Sequence, residues 1–378
     1  MNKSISRISW IDGLRGIAAL LVVFCHIACV FKYGLYSIKG ANTSFEKIWL
    51  FTPLNVLTNG NTAVQFFFVI SGFLITMNIY NKNISIKKVG GGYSSLLNKF
   101  KKILYIVVPA IVLAYFLMKL NLYFHLDALL IDERLGFVSD YNNFNPNLIN
   151  FLIDIVKSLF RGSQYVGPLW TIRYELLGSI LIMLISNYAY QSKNKKSVYI
   201  YMGILLLFLD MNLISFIFGG FIYEIIYNWD TDNTRLNIFI KKMNNFAIIR
   251  YLVIIVAIFF ATLSIDGCGI YSIIKIFKAF FPVLRALGIS VLLFFLFKSN
   301  RIQQILSFKI FVHLGEISAY IYAFHWQIIL SLGCFVFIKL YTMLNYNILI
   351  IVITVICLIA IIGGSFVYKK FLLSISIK

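Results

Sequence analysis

Arg15 and His26 stand in one long apolar segment, Ile11-Asp-Gly-Leu-Arg-Gly-Ile-Ala-Ala-Leu-Leu-Val-Val-Phe-Cys-His26. A guanidinium pairs with anions or with a polarised carbonyl oxygen. An imidazole moves protons near neutral pH. A step of eleven residues is three helical turns plus roughly 20°, so the two side chains share one face, roughly 16 Å apart along the axis. In hydrocarbon such groups are costly, by about 2.5–3.5 kcal/mol for a central Arg, and they normally face a protein interior or a wet cavity. The pair therefore points to a functional site. The plainer alternative is that Arg15 marks a cytoplasmic helix end and snorkels, with His26 hydrogen-bonded inside a bundle.

Other polar groups interrupt apolar runs. Glu175 follows Arg173 by two residues. Neighbours at that spacing do not face each other on a helix, so each needs a partner elsewhere. Arg285 either partners Glu175 or sits in a wet cavity. His325 falls in a late apolar segment, where Trp326 reads as packing. His125 and His313 are expected in solvent. Phe67-Phe-Val-Ile-Ser-Gly-Phe-Leu74 sets Ser71 and Gly72 in an aromatic run, where small residues allow close approach of a helix or ligand. The five cysteines are odd in number and scattered, with neither a disulfide framework nor metal-ligand spacing. No metal is expected. Cys25 is a poor nucleophile for His26, since adjacent helical residues point about 100° apart.

The elements that position these groups are membrane helices. The chain is 60% hydrophobic and 13% charged, with a mean hydropathy of +0.87, which excludes an ordinary soluble domain. The expected fold class is an all-α polytopic membrane protein. Ten spans are predicted, near 11–31, 61–80, 103–120, 168–187, 197–209, 211–228, 246–264, 278–297, 317–338 and 346–367. The first reads as a retained span, because it carries Arg15 and lacks a small-residue cleavage site. A polar stretch near 121–167 interrupts the pattern, and Leu148 to Phe160 within it reads as an amphipathic interfacial helix.

With the N-terminus inside, basic residues favour the inner segments by 21 to 10, and Arg15, Arg173 and Arg285 fall within spans. The positive-inside rule then predicts both termini in the cytoplasm. It also explains the net charge of +20 without nucleic acid. One integral-membrane domain over 1–378 is expected. In that topology Arg15 is near the inner leaflet, His26 and Glu175 toward the outer side and His325 near mid-span. The ionisable groups thus span the bilayer, as joining a cytoplasmic reagent to an outer acceptor requires.

Four segments carry a family resemblance. Ile11-Asp-Gly-Leu-Arg15 followed by His26 resembles the signature of the membrane-bound acyltransferase-3 family. Phe67 to Leu74 resembles its second-helix motif. Gly167-Pro-Leu-Trp-Thr-Ile-Arg-Tyr-Glu175 resembles its Trp-to-Glu motif, and Leu314-Gly-Glu-Ile-Ser-Ala-Tyr-Ile-Tyr-Ala-Phe-His325 its late Gly-Ser-Tyr-His motif. The resemblance implies about ten helices and transfer of an acyl group, usually acetyl, from acyl-CoA to a glycan hydroxyl at the cell envelope. Two departures accompany it. Lys101-Lys102 stand where the family has paired arginines, which keeps the charge but loses the planar fork. Arg173-Tyr174 stand where small or acidic residues are common.

The resemblance implies His26, Glu175 and Arg15 as catalytic, with His26 the general base or, in a variant, the carrier of a covalent acyl group. Asp12, Ser71, Gly72, Lys101, Lys102, Trp170, Arg173, Arg285 and His325 would line the donor and acceptor sites. Acetyl-CoA would be a co-substrate and not a bound cofactor. A polysaccharide or lipid-linked saccharide would be the acceptor, in the inner (plasma) membrane. The rival reading is a transporter or flippase of a small acid or lipid-linked sugar, in which intramembrane His and Glu relay protons.

Overall fold

The computed structural model describes residues 8–82, 89–139, 144–227, 238 and 246–376. Lys3, Arg7, Lys87, Lys88, Arg235, Lys241, Lys242 and Lys378 of the inner charge count lie outside them, as do Asp140 and residues 141–143 of the polar stretch.

Every regular element among the described residues is helical. In chain order these are α1 (Ser9–Phe31), α2 (Ser44–Phe51), α3 (Gly60–Lys82), α4 (Val89–Lys119), α5 (His125–Ile131), α6 (Leu148–Ser158), α7 (Ile172–Gln191), α8 (Lys195–Leu209), α9 (Ile214–Tyr227), α10 (Ala247–Ala261), α11 (Phe281–Phe297), α12 (Asn300–Leu306), α13 (Lys309–Ile328), α14 (Cys334–Leu340) and α15 (Tyr346–Ser376). Seven stretches among the described residues are long and apolar enough to cross a membrane: Ser9–Phe31, Gly60–Asn81, Leu97–Lys119, Gly167–Gln191, Gly269–Phe297, Lys309–Leu340 and Tyr346–Ser374. The other three predicted spans coincide with α8, α9 and α10, which have 15, 14 and 15 residues. The turn at Asp210 ends α8.

The chain divides into two compact units. Among the described residues the first holds 8, 61–82, 89–98, 174–227, 238 and 246–306. In it α9 packs on α8 and α11, and α10 on α11. The approach of α3 to α9 is set by two glycines. A Cβ on Gly72 would collide with the Phe216 carbonyl, and one on Gly219 with the Val69 carbonyl. Phe68 stacks on Phe216 at 5.1 Å beside that crossing. Polar bonds tie α3 to its other neighbours: Gln65 donates to Asn212, in the turn before α9, at 3.1 Å, and Thr76 meets Ser186 of α7 at 2.7 Å.

Among the described residues the second unit holds 9–60, 99–139, 144–173 and 307–376. Its centre is the pairing of α1 with α13, backed by α15. A Cβ on Gly16 would come within 2.7 Å of the Gly315 amide nitrogen, and one on Gly315 would collide with the Asp12 carbonyl. Two helix defects are answered by neighbours. Pro109 lies inside α4 and removes the amide that would bond the Tyr105 carbonyl. The Tyr368 hydroxyl donates to that carbonyl at 2.9 Å instead. A π-helical segment, Ile329–Gly333, joins α13 to α14, and the Phe124 amide donates to the Leu330 carbonyl at 3.0 Å.

The described part of the polar stretch contains helices. In α6 the apolar side chains Ile149, Leu152, Ile153 and Val156 face outward, while Asp154 is buried. Asp154 accepts from Ser163 at 2.5 Å and from the Gln164 amide at 2.7 Å. An outward apolar stripe with a tethered polar face is what an interfacial helix requires. His125, expected in solvent, is only 2% exposed. It begins α5, which packs against α14, and its ring meets Tyr123 edge-on at 5.9 Å. His313 is exposed as expected.

Because the Gly315 site has no room for a methyl group, Gly315→Ala is expected to cost about 1–3 kcal/mol through overpacking. Thermal unfolding in detergent would measure it. An unchanged midpoint would mean that α1 and α13 slide apart freely.

Candidate functional site

Gly16 and Gly315 touch, and ten residues further along each helix so do His26 and His325. The two helices therefore run parallel and in register over about 15 Å. His325 Nε2 lies 3.1 Å from His26 Nδ1, with ring centroids 4.8 Å apart. His26 Nδ1 is also 2.9 Å from the Val22 carbonyl, and His325 Nδ1 is 2.7 Å from the Tyr322 carbonyl. Trp326 sets its ring edge-on to His26, with centroids 5.3 Å apart. His325 and Trp326 are fully buried, whereas His26 keeps part of its surface open.

Tyr322 and Thr171 hold this pair from behind. The Tyr322 hydroxyl donates to the Pro168 carbonyl and meets Thr171 Oγ1 at 2.6 Å. Both lie inside the motifs quoted above, but neither is singled out there as a site residue. The available signal was spacing, since Tyr322 precedes His325 by three positions and shares its helical face.

Asp12 and Arg15 lie on α1, about four and three turns from His26. Their side chains approach to 3.8 Å, and Arg15 remains half-open while Asp12 is buried. Lys101 and Lys102 on α4 are exposed, as is Trp170. These residues and Arg173 belong to the same unit as the two histidines.

Ser71, Gly72, Glu175 and Arg285 belong to the other unit. Ser71 Oγ lies 3.1 and 3.2 Å from the two carboxylate oxygens of Glu175 and donates to them. This is a cross-helix partner for Glu175, as its spacing from Arg173 requires. Gly72 next to Ser71 packs on α9 and so serves close packing. Arg285 is buried, and its Nε and Nη2 donate to the Leu263 carbonyl at 3.0 and 2.9 Å. No cluster of His, Cys, Asp or Glu suited to a metal occurs among the described residues. The cysteines include one close pair, Cys25 and Cys29, with sulfurs 4.0 Å apart.

Beyond the last turn of α1 a second set of charges ties loops to α15. Lys32 pairs with Glu46 at 3.2 Å, and Arg134 with Asp132 at 2.6 Å. The Arg134 guanidinium lies 4.0 Å over the Tyr346 ring, and the Tyr346 hydroxyl donates to the Phe31 carbonyl. Burial alone pushes Glu46 up, but the amides of Thr43 and Asn42 and the Lys32 ammonium outweigh it. Its carboxyl is held below the ordinary 4.5. Burial likewise pushes Asp132 up, and Arg134 outweighs it and holds the carboxyl below 3.8.

A family model described as Acyltransferase domain matches residues 8–368. The chain belongs to the acyltransferase-3 family, and is an acyltransferase with several membrane-crossing helices. No curated protein and no solved structure matches it.

Both lowered carboxyls bind fewer protons when folded than when unfolded around their ordinary values. Their contribution to stability is complete above about pH 4.5 and is lost as pH falls through the lowered values. Thermal midpoints measured from pH 7 down to pH 3 are expected to hold and then drop. In Glu46→Gln the drop is expected to be smaller. An equal drop in the variant would remove Glu46 from this role.

Proposed function

We propose that the chain is an O-acyltransferase of the plasma (inner) membrane. It would take an acyl group, most simply acetyl, from cytoplasmic acyl-CoA to a hydroxyl of an envelope polysaccharide or lipid-linked saccharide. Ten spans with both termini in the cytoplasm complete the topology. The observation that carries the reading is the His26–His325 pair, set on a family-matched helix that also bears Asp12 and Arg15.

In this reading Arg15, from the inner end of α1, holds the donor through its phosphates or thioester carbonyl, assisted by Lys101 and Lys102. His26 removes the proton from the acceptor hydroxyl. The hydroxyl oxygen bonds to the thioester carbonyl carbon, and the carbon–sulfur bond breaks. The CoA thiolate then takes the proton from His26, so the acylated glycan and CoA are the only products. Trp170 and Arg173 stand at the entry of α7 as candidates for acceptor choice. Ser71 holds the Glu175 carboxylate, which is the second catalytic group proposed. Arg285 is proposed as a further binding residue.

The test is envelope glycan mass in cells with the wild-type chain, with His26→Ala, or with no chain. An acyl-sized increment is expected with wild type alone. The variant is expected to lose at least about 10²-fold in transfer, as removal of a general base does, while still inserting in the membrane. Glu175→Gln is expected to lose transfer as well, and Ser71→Ala about 10–100-fold, since a hydrogen bond to a charged group contributes about 1.5–3 kcal/mol. An increment that persists in His26→Ala would refute the role of His26. No increment with any chain would favour the transport reading.

A further inference from the structure

Each histidine of the pair has one nitrogen committed to a main-chain carbonyl. His26 Nδ1 meets the Val22 carbonyl at 2.9 Å, and His325 Nδ1 meets that of Tyr322 at 2.7 Å. A carbonyl only accepts, so each Nδ1 must carry a proton. A neutral imidazole has a single N–H, which leaves both Nε2 atoms bare. The remaining contact fits this assignment alone. His325 Nε2, an acceptor, faces His26 Nδ1–H at 3.1 Å. The opposite tautomers would set two nitrogen lone pairs against two carbonyl oxygens at hydrogen-bond distance.

We propose that His325 is a positioning residue that fixes His26 as its Nδ1–H tautomer and thereby makes Nε2 the basic nitrogen. The proposal rests on reading His26 as the base. Free histidine favours the proton on Nε2, so an unassisted His26 would present the wrong nitrogen. The Val22 carbonyl also accepts its own helix amide, and His325 adds a second acceptor from across the helix pair. Its ring is held in turn: Nδ1 by the Tyr322 carbonyl, and Tyr322 by Pro168 and Thr171.

The arrangement has a consequence for the proton transfer. When Nε2 takes the acceptor's proton, the charge formed on His26 meets two acceptors already aligned on Nδ1–H, so no group has to reorient. That proton leaves from the same Nε2 to the thiolate. His325 stays neutral throughout and neither gains nor loses a proton.

The test uses the full chain in detergent or nanodiscs with ¹⁵N-labelled histidine. Only four histidines are present, and His26→Ala assigns the signal. The wild-type His26 is expected to show a protonated Nδ1 and a bare Nε2. His325→Phe keeps a ring but removes the acceptor. Its His26 is expected to become a tautomer mixture, with turnover lower by about 10–100-fold and the KM for acetyl-CoA within about twofold, as loss of an orienting partner predicts. His325→Gln restores an acceptor and is expected to recover at least about a third of the lost tautomer preference. A protonated Nε2 on wild-type His26 would overturn the proposal, as would an unchanged tautomer in a folded His325→Phe. If His325→Phe fails to fold, the wild-type tautomer and His325→Gln still decide the matter. The tautomer is read without turnover, so absence of acyl transfer would sink the proposed function and leave this measurement decisive.

Discussion

The register between α1 and α13 is the constraint on which the candidate site depends. Gly16 and Gly315 let the two backbones touch, and a helix rises about 1.5 Å per residue whatever its sequence. Equal offsets of ten residues therefore carry His26 and His325 to the same height. A shift of one residue on either helix would rotate one imidazole by about 100° and break the pair. The histidine pair is thus aligned by a backbone contact made three turns away.

Three backbone carbonyls of the second unit are met by donors from other segments. Tyr368 answers the carbonyl freed by Pro109, Phe124 answers one in the π-helical segment, and Gln327 donates to the Ala110 carbonyl at 2.9 Å. In hydrocarbon an unmet backbone group costs several kcal/mol, so each of these bonds selects one packing of α4, α13 and α15. Tyr322 extends the same logic to the site. Its hydroxyl is spent on Pro168 and its carbonyl on His325, so the ring behind the histidines has no freedom to turn. Rigidity of this kind is what a proton transfer between fixed atoms needs.

The first unit uses the same devices for a different pair. Gly72 and Gly219 bring α3 against α9, and Ser71 beside Gly72 is held where its hydroxyl reaches Glu175. A small residue and its polar neighbour thus divide the work between packing and hydrogen bonding. Sequence alone allowed Gly72 to meet either a helix or a ligand, and its contact with Phe216 assigns it to helix packing.

The sequence by itself determined the class of molecule, the all-helical architecture, the family, and the residue types available for chemistry. These follow from composition, from apolar runs near 20 residues and from motif spacing, all of which are local properties of the chain. The facing of Arg15 and His26 was legible for the same reason, because helical periodicity fixes it. Only the tertiary structure decided that His26 meets His325, that Tyr322 and Thr171 brace them, and that Arg285 is held by the Leu263 carbonyl. His125 illustrates the limit: a histidine in a polar stretch reads as solvated, yet α5 folds onto α14 and buries it. Partners separated by 150 or 300 positions are chosen by which backbones can approach, and that depends on glycines and helix defects whose effect appears only when the helices are packed.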